Sequence, residues 1–292
     1  MIRLGKEMRT YTFGPDNPPA IAVDSGATIL FETLDAIDDQ IHSDADAADK
    51  VNLDHVNGAT GPVFINGARP GDALLAEVIR ISPWNWGAAL IIPGFGFLQE
   101  TIPGPYTRFL TIEKDGVRFA KGIHLPLKPM IGTIGVSPTQ PLTTLSSGAH
   151  GGNLDTTDIC PGSKVYLPVF VEGGLFGVGD VHAMMGDGEV CGTGVECGAE
   201  VEIKIDLLKD YPLERPRIET RDEVMTVASG ESLDMAIKLA LNDMVIWLHR
   251  EKNLSREDAY ILTSLAGDVR IGQIVDPAVT VRVALPKAIF SS

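Results

Sequence analysis

Between residues 62 and 83, PVFINGARPGDALLAEVIRISP sets apolar and β-branched residues on either side of a Gly67-to-Asp72 turn. Within it GDALLAEVIRI alternates apolar and polar positions at the two-residue period of a half-buried strand. Comparable short runs recur in VYLPVFVEG at 165, LFGVGDVHAMM at 175, EVCGTGVECGAEVEIKIDLL at 189 and VTVRVALP at 279. Runs of this kind, separated by glycine- and proline-containing turns, predict a sandwich of short antiparallel strands.

A different period enters late. Leu233, Ala236, Ile237, Ala240, Leu241, Met244, Val245 and Leu248 recur at i, i+3, i+4 and i+7, the stripe of an amphipathic helix. Ser255 then opens a second helical pattern as an N-cap, Asp258 stands in a capping-box-like position, and Gly267 offers a stop. The expected fold is therefore mainly β, an antiparallel β-sandwich with a C-terminal helical hairpin near residues 231–267. EKDGVRFAKGIHLPLKP (113–129) reads as a loop or insertion, and HSDADAAD (42–49) as a solvated acidic loop. Neither an internal repeat nor a low-complexity linker divides the chain, so residues 1–292 are expected to form one domain.

The net charge of −15, from 24 Lys and Arg against 39 Asp and Glu, argues against a nucleic-acid partner or an anionic membrane surface. A neutral small molecule or a cation is the expected ligand. MIRLGKEMRT carries no apolar leader segment, and the longest apolar run, AALIIPGFGFL, is broken by Pro93 and two glycines. A soluble, cytoplasmic protein is expected. Cys160, Cys191 and Cys197 are odd in number and lack CxxC spacing, which suggests reduced thiols rather than a disulfide framework or a thiolate zinc site.

The chemistry concentrates in FVEGGLFGVGDVHAMMGDGEVCGTGVE (170–196), where a histidine and several carboxylates sit among glycines and small apolar residues. Charged side chains are seldom buried unless paired or bound to a metal. Asp180 and His182, two apart in a strand, project from the same side. A two-residue turn at Asp187–Gly188 would pair Gly186 with Glu189 and set Glu189, Cys191 and Thr193 on the His182 face, with Glu196 facing away. A bulge or longer loop would reverse that parity and bring Glu196 in. Asp180, His182 and Glu189 on one face suit a divalent metal such as zinc, which lowers the pKa of bound water toward about 7. An isolated Asp-x-His is more often an ordinary buried hydrogen-bonded pair; the neighbouring glycines favour close approach of a ligand. GAHGGNLDTTDICPG (148–162) adds His150, Asn153, Asp155 and Asp158 in a loop, and Asp54, His55 and Asn57 form a further polar group.

FETLDA at 31, NGATGPVFINGARPGD at 57, IIPGFGFL at 91, PMIGTIGVSP at 129 and the run from GGNLDTTDIC at 151 through GVE at 196 resemble the acetamidase/formamidase family, and the likeness is colinear over nearly the whole chain. The resemblance implies a jelly-roll-like β-sandwich with added helices that hydrolyses small aliphatic amides to carboxylate and ammonia. It implies a polar core of Glu32, Asp155, Asp180, His182 and Glu189 as catalytic residues, and it favours a homodimer. LSSGAHGGN (145–153) is only superficially like the serine and lysine network of amidase-signature enzymes. A Cys191 nucleophile and a non-catalytic, cupin-like metal or small-molecule-binding protein are the alternatives.

Overall fold

In the strand Ala199–Leu208, Val201, Ile203 and Ile205 are buried while Glu200, Glu202, Lys204 and Asp206 turn outward, so the alternation of the sequence becomes one apolar and one wet face. The computed structural model describes residues 1–290. Ala199–Leu208 lies near one edge of a nine-stranded sheet whose order is Ile2–Leu4, Ala27–Thr33, Ala199–Leu208, Ala73–Pro83, Lys164–Pro168, Arg217–Glu219, Glu223–Gly230, Val279–Pro286 and Asp268–Gln273. The order mixes strands from both ends of the chain. A second, twelve-stranded sheet is built around Phe176–His182, Met130–Gly135 and Ala59–Ile65. Nearly all pairings are antiparallel, and the sandwich expected from the sequence is the fold observed.

The core lies between the sheets. Phe31 from the first meets Phe176 from the second edge to face at 5.9 Å, and Val201, Ile203, Leu74, Ile131, Ile134 and Val178 share the cluster. The turn at Gly67–Asp72 joins Ala59–Ile65 to Ala73–Pro83, yet the two strands belong to different sheets and do not pair with each other. The turn thus carries the chain across the sandwich. Asp72 fixes it by accepting the Arg69 N–H at 2.9 Å and pairing with Lys209 at 2.6 Å.

The segment 113–129 corrects the loop reading. Tyr106–Glu113, Gly116–Ala120 and Ile123–Pro126 form an antiparallel meander at the edge of the second sheet. Its polar composition belongs to an exposed sheet margin. The acidic stretch 42–49 is stapled to that meander, since Asp44 Oδ1 accepts the Phe109 N–H at 2.7 Å and the Asp46 carbonyl accepts the Thr107 hydroxyl at 2.5 Å.

The helical hairpin forms where expected, as α1 (Leu233–Lys252) and α2 (Arg256–Ala266). The Ser232 and Ser255 hydroxyls cap them, accepting the Met235 and Asp258 N–H groups at 3.2 and 3.0 Å. α1 buries Ala236, Ala240, Met244, Val245 and Leu248 against Glu223–Gly230 and Val279–Pro286. Among the described residues no helix is long and apolar enough to cross a membrane.

Candidate active site

Every residue of Phe176–His182 is buried. One edge runs along Met130–Gly135, and the other changes partner: Gly179 still faces Ala59, whereas Val181 faces Cys197 and His182 faces Glu196. Asp180 sits at that change with φ of 52°, the left-handed region that non-glycine residues seldom occupy. Asp155, Glu189 and Asn57 share this conformation at 41°, 46° and 56°. Backbone of this kind persists only where its surroundings enforce it, and in Asp155, Asp180 and Glu189 it gathers carboxylates at one point.

That point is His182 Nε2. It lies 3.0 Å from Asp180 Oδ1, 3.1 Å from Glu196 Oε2, 3.9 Å from Glu189 Oε1 and 4.0 Å from Asp155 Oδ1, and all five side chains are buried. Gly132, on Met130–Gly135, makes the room. A Cβ there would run into the carboxylates of both Asp180 and Asp155. Gly194 likewise gives space to the His182 ring, and its N–H donates to Glu196 Oε1 at 2.7 Å.

Four carboxylates around one imidazole are electrostatically unequal. Burial opposes ionisation of Asp180, but His182 overcomes it and holds this carboxyl below its ordinary range. Burial also opposes charge on His182, and Glu196 and Asp180 together raise its pKa well above the usual value. Asp155 and Glu189 are pushed well up, first by burial and then by charges of the cluster, Glu189 acting on Asp155 and Glu196 on Glu189. Neither Asp155 oxygen has a hydrogen-bond partner among the described residues. Burial also raises Glu196 to about 7. Such a set fits a divalent cation: the donor atoms of Asp155, His182 and Glu189 lie within 4.8 Å of one another, as do those of Asp180, His182 and Glu196. The ligand trio expected from the sequence is thus divided between two groups that share His182.

The cluster borders a cavity of about 180 Å³ lined by Asp180, Glu189 and Glu196 together with Asn57, Asn153 and Asp276. Asn153 Nδ2 donates to Asp276 Oδ2 and Asn57 Nδ2 donates to Asn153 Oδ1, both at 2.9 Å, and the Thr133 hydroxyl donates to Asn153 Oδ1 at 2.5 Å. Burial raises Asp276 to about 7. The sequence reading missed Asp276, which lies within the ordinary-looking stretch QIVDP (273–277) and enters only because residues 273–278 fold over the site.

Asp155, Asp180, His182 and Glu189 therefore meet, and Glu196 joins them. Glu32 does not: its side chain pairs with Arg3 on the outer face of the first sheet. The two-residue hairpin at Asp187–Gly188 is not formed. Residues 183–195 are an irregular loop in which Gly188 bridges to Gln273, and this longer path is what sets Glu196 opposite His182. Cys191 Sγ is turned to the Thr193 carbonyl at 3.4 Å, and burial drives the Cys197 thiol far up. His55 stacks on Tyr11, and Asp158 pairs with Arg282.

The model of the acetamidase/formamidase family matches residues 5–146 and 140–292. The crystal structure of an acetamidase from Bacillus halodurans is 41% identical, with a TM-score of 0.96 over 99% of this chain and 98% of that one. A protein from Thermoanaerobacter tengcongensis, described as a predicted acetamidase/formamidase, is 39% identical, with a TM-score of 0.96 over 99% and 96% of the two chains. The formamidase of Methylophilus methylotrophus is 29% identical over 259 residues, 67% of this chain. This chain spans 63% of that protein's length.

Proposed function

The chain belongs to the acetamidase/formamidase family, and on that premise we propose that it hydrolyses small linear aliphatic amides to a carboxylate and ammonia at the cluster around His182. The observation that carries this reading is one imidazole ringed by four buried carboxylates at the wall of a cavity of small-molecule size. Buried charge in that excess is stabilised by a cation or used in proton transfer, and metal-assisted amide hydrolysis uses both.

A divalent cation, zinc by the donor chemistry, would be held by His182 Nε2 and oxygens of Asp155, Asp180 and Glu189. When bound it supplies Lewis-acid polarisation of a carbonyl and acidification of water. Glu196 is the base in this reading. Its Oε1 is anchored by the Gly194 N–H, its Oε2 faces His182, and its affinity for a proton near neutrality suits both accepting and returning one. It takes the proton of the attacking water and passes it to the amide nitrogen as the C–N bond breaks, so ammonia leaves rather than an amide anion. Asp276, tied through one oxygen to Asn153, has the other left to receive an amide N–H.

Residues 1–292 act as one unit in this reading, which the mixing of early and late strands within the first sheet supports. Self-association as a homodimer is supported by the exposed apolar side chains Tyr260, Ile261 and Leu265 on α2, and light scattering tests it. Ammonia release from formamide and acetamide tests the activity. Folded, metal-supplemented protein that releases none from any small amide would sink the hydrolase and favour the binding-protein alternative.

A further inference from the structure

The cavity beside the cluster is larger and more apolar than its polar end requires. Besides the carboxylates and asparagines, it is lined by Ile37, Leu53, Val56, Ile92, Phe95 and Leu145. These come from the 34–57 segment, the loop after Trp86–Ile91 and the turn at 145, not from the strands that carry the acids. Leu53 is 51% exposed and Val56, Ile92, Phe95 and Leu145 are only partly covered, so the wall presents unsatisfied apolar surface toward the space. The wall is held in place. Buried Asp35 accepts the Ile37 and Asp39 N–H groups at 2.9 and 3.1 Å, and the 42–49 stretch is tied to Tyr106–Glu113.

From this we propose that the preferred substrates are amides with an apolar acyl chain of about four to five carbons, straight or branched, rather than formamide or acetamide. The proposal rests on the amidohydrolase reading and deepens it. Size supports it: a dry cavity of about 150 Å³ takes up benzene, and the space here is about 180 Å³. Butyramide has as many non-hydrogen atoms as benzene. Formamide and acetamide are smaller, and with the amide head at the carboxylates they leave the apolar wall in contact with water. A longer chain displaces that water and covers Leu53, Val56 and Phe95. Each added methylene that reaches the wall is expected to raise kcat/KM by about fourfold, the equivalent of about 0.8 kcal/mol per buried CH₂.

The test is kcat/KM by ammonia release for formamide, acetamide, propionamide, butyramide, isobutyramide and hexanamide on the full chain. The expected result is a rise from formamide to butyramide, on the order of tenfold or more between acetamide and butyramide, and a plateau once the cavity is filled. In Phe95→Ala and Leu145→Ala the butyramide-to-acetamide ratio is expected to drop severalfold, a ratio that loss of folded protein does not alter. Formamide as the fastest substrate, with a fall at every added carbon, overturns the proposal while leaving the amidohydrolase intact. A ratio unchanged in both variants overturns the assignment of the wall. No hydrolysis of any amide overturns both readings.

Discussion

Glu196 stands directly across the strand ladder from His182, with its Oε2 3.1 Å from His182 Nε2 and its Oε1 held by the Gly194 N–H. This fixes the carboxylate at the edge of the cavity, where a water and an amide can meet it. Glu196→Gln keeps the shape and removes the base, so kcat for ammonia release is expected to fall roughly a hundredfold or more. His182→Ala and Asp180→Asn should do the same, with loss per folded molecule exceeding any loss of thermal stability. Near-normal turnover in all three, measured beside thermal denaturation, would leave the cluster an ordinary buried ion network.

Gly132 supports the same site from beneath. Because a Cβ would strike the carboxylates of Asp180 and Asp155, Gly132→Ala must displace one of them. Overpacking of this kind costs roughly 1 to 3 kcal/mol, and a misplacement near the chemistry costs activity about a hundredfold. Gly186→Ala is the control, since a Cβ there meets nothing within 4 Å. Equal activity in the two variants contradicts the packing argument.

A cation that binds the native cluster and not the unfolded chain stabilises the fold by mass action, about 2.7 kcal/mol at a hundredfold excess over its Kd. Chelator-treated protein is therefore expected to gain several degrees in Tm on adding zinc, and Asp155→Asn to lose most of that gain. Elemental analysis of the untreated protein provides a second readout. Protein that carries no divalent ion and shows no thermal response to zinc, magnesium, manganese or calcium argues that the carboxylates are neutralised by protons alone.

His150 makes a pH-dependent contribution to stability away from the cluster. Burial lowers its pKa from the ordinary 6.5 to about 4, and its Nε2 lacks a hydrogen-bond partner among the described residues. The unfolded chain takes up this proton first as pH falls, so the contribution is present above about 6.5 and is lost between about 6.5 and 4. The stability of the protein relative to His150→Gln should drop by about 2 to 3 kcal/mol between pH 7.5 and 4.5, at 1.36 kcal/mol per pH unit. Comparison with the variant cancels the carboxylates that titrate in the same range. A difference constant across that range, in urea denaturation, contradicts the assignment.

Local signals carried far in this chain. The helices were legible because the apolar stripe from Leu233 to Leu248 recurs at helical spacing and Ser255 caps the second, and the stripe does pack on a sheet. Asp180 and His182 were legible as a pair because residues two apart in a strand share a side. Asp155 entered as a polar residue of the 148–162 loop and Glu189 through a two-residue hairpin that is not formed, each also through the family likeness, and both lie in the cluster. Glu32 entered by the same likeness yet pairs with Arg3, because the likeness of a segment says nothing of which face its side chains take.

The strands, their alternation, the helical hairpin and the richness of acids around His182 were determined by the sequence alone, because each depends on residues a few positions apart. Tertiary structure decided which of those acids meet. The 183–195 loop departs from a tight hairpin to bridge Gln273, and that sets Glu196 against His182. Asp276 comes to the cavity from a turn that follows both helices, Ile37 and Leu53 come from a segment pinned by Asp35 and Asp44, and Phe95 comes from the loop after Trp86–Ile91. Such meetings depend on the register and packing of segments up to a hundred or more residues apart. A shift of one residue turns a side chain to the opposite face of a strand, so periodicity could name the candidates while only the packed fold could select among them.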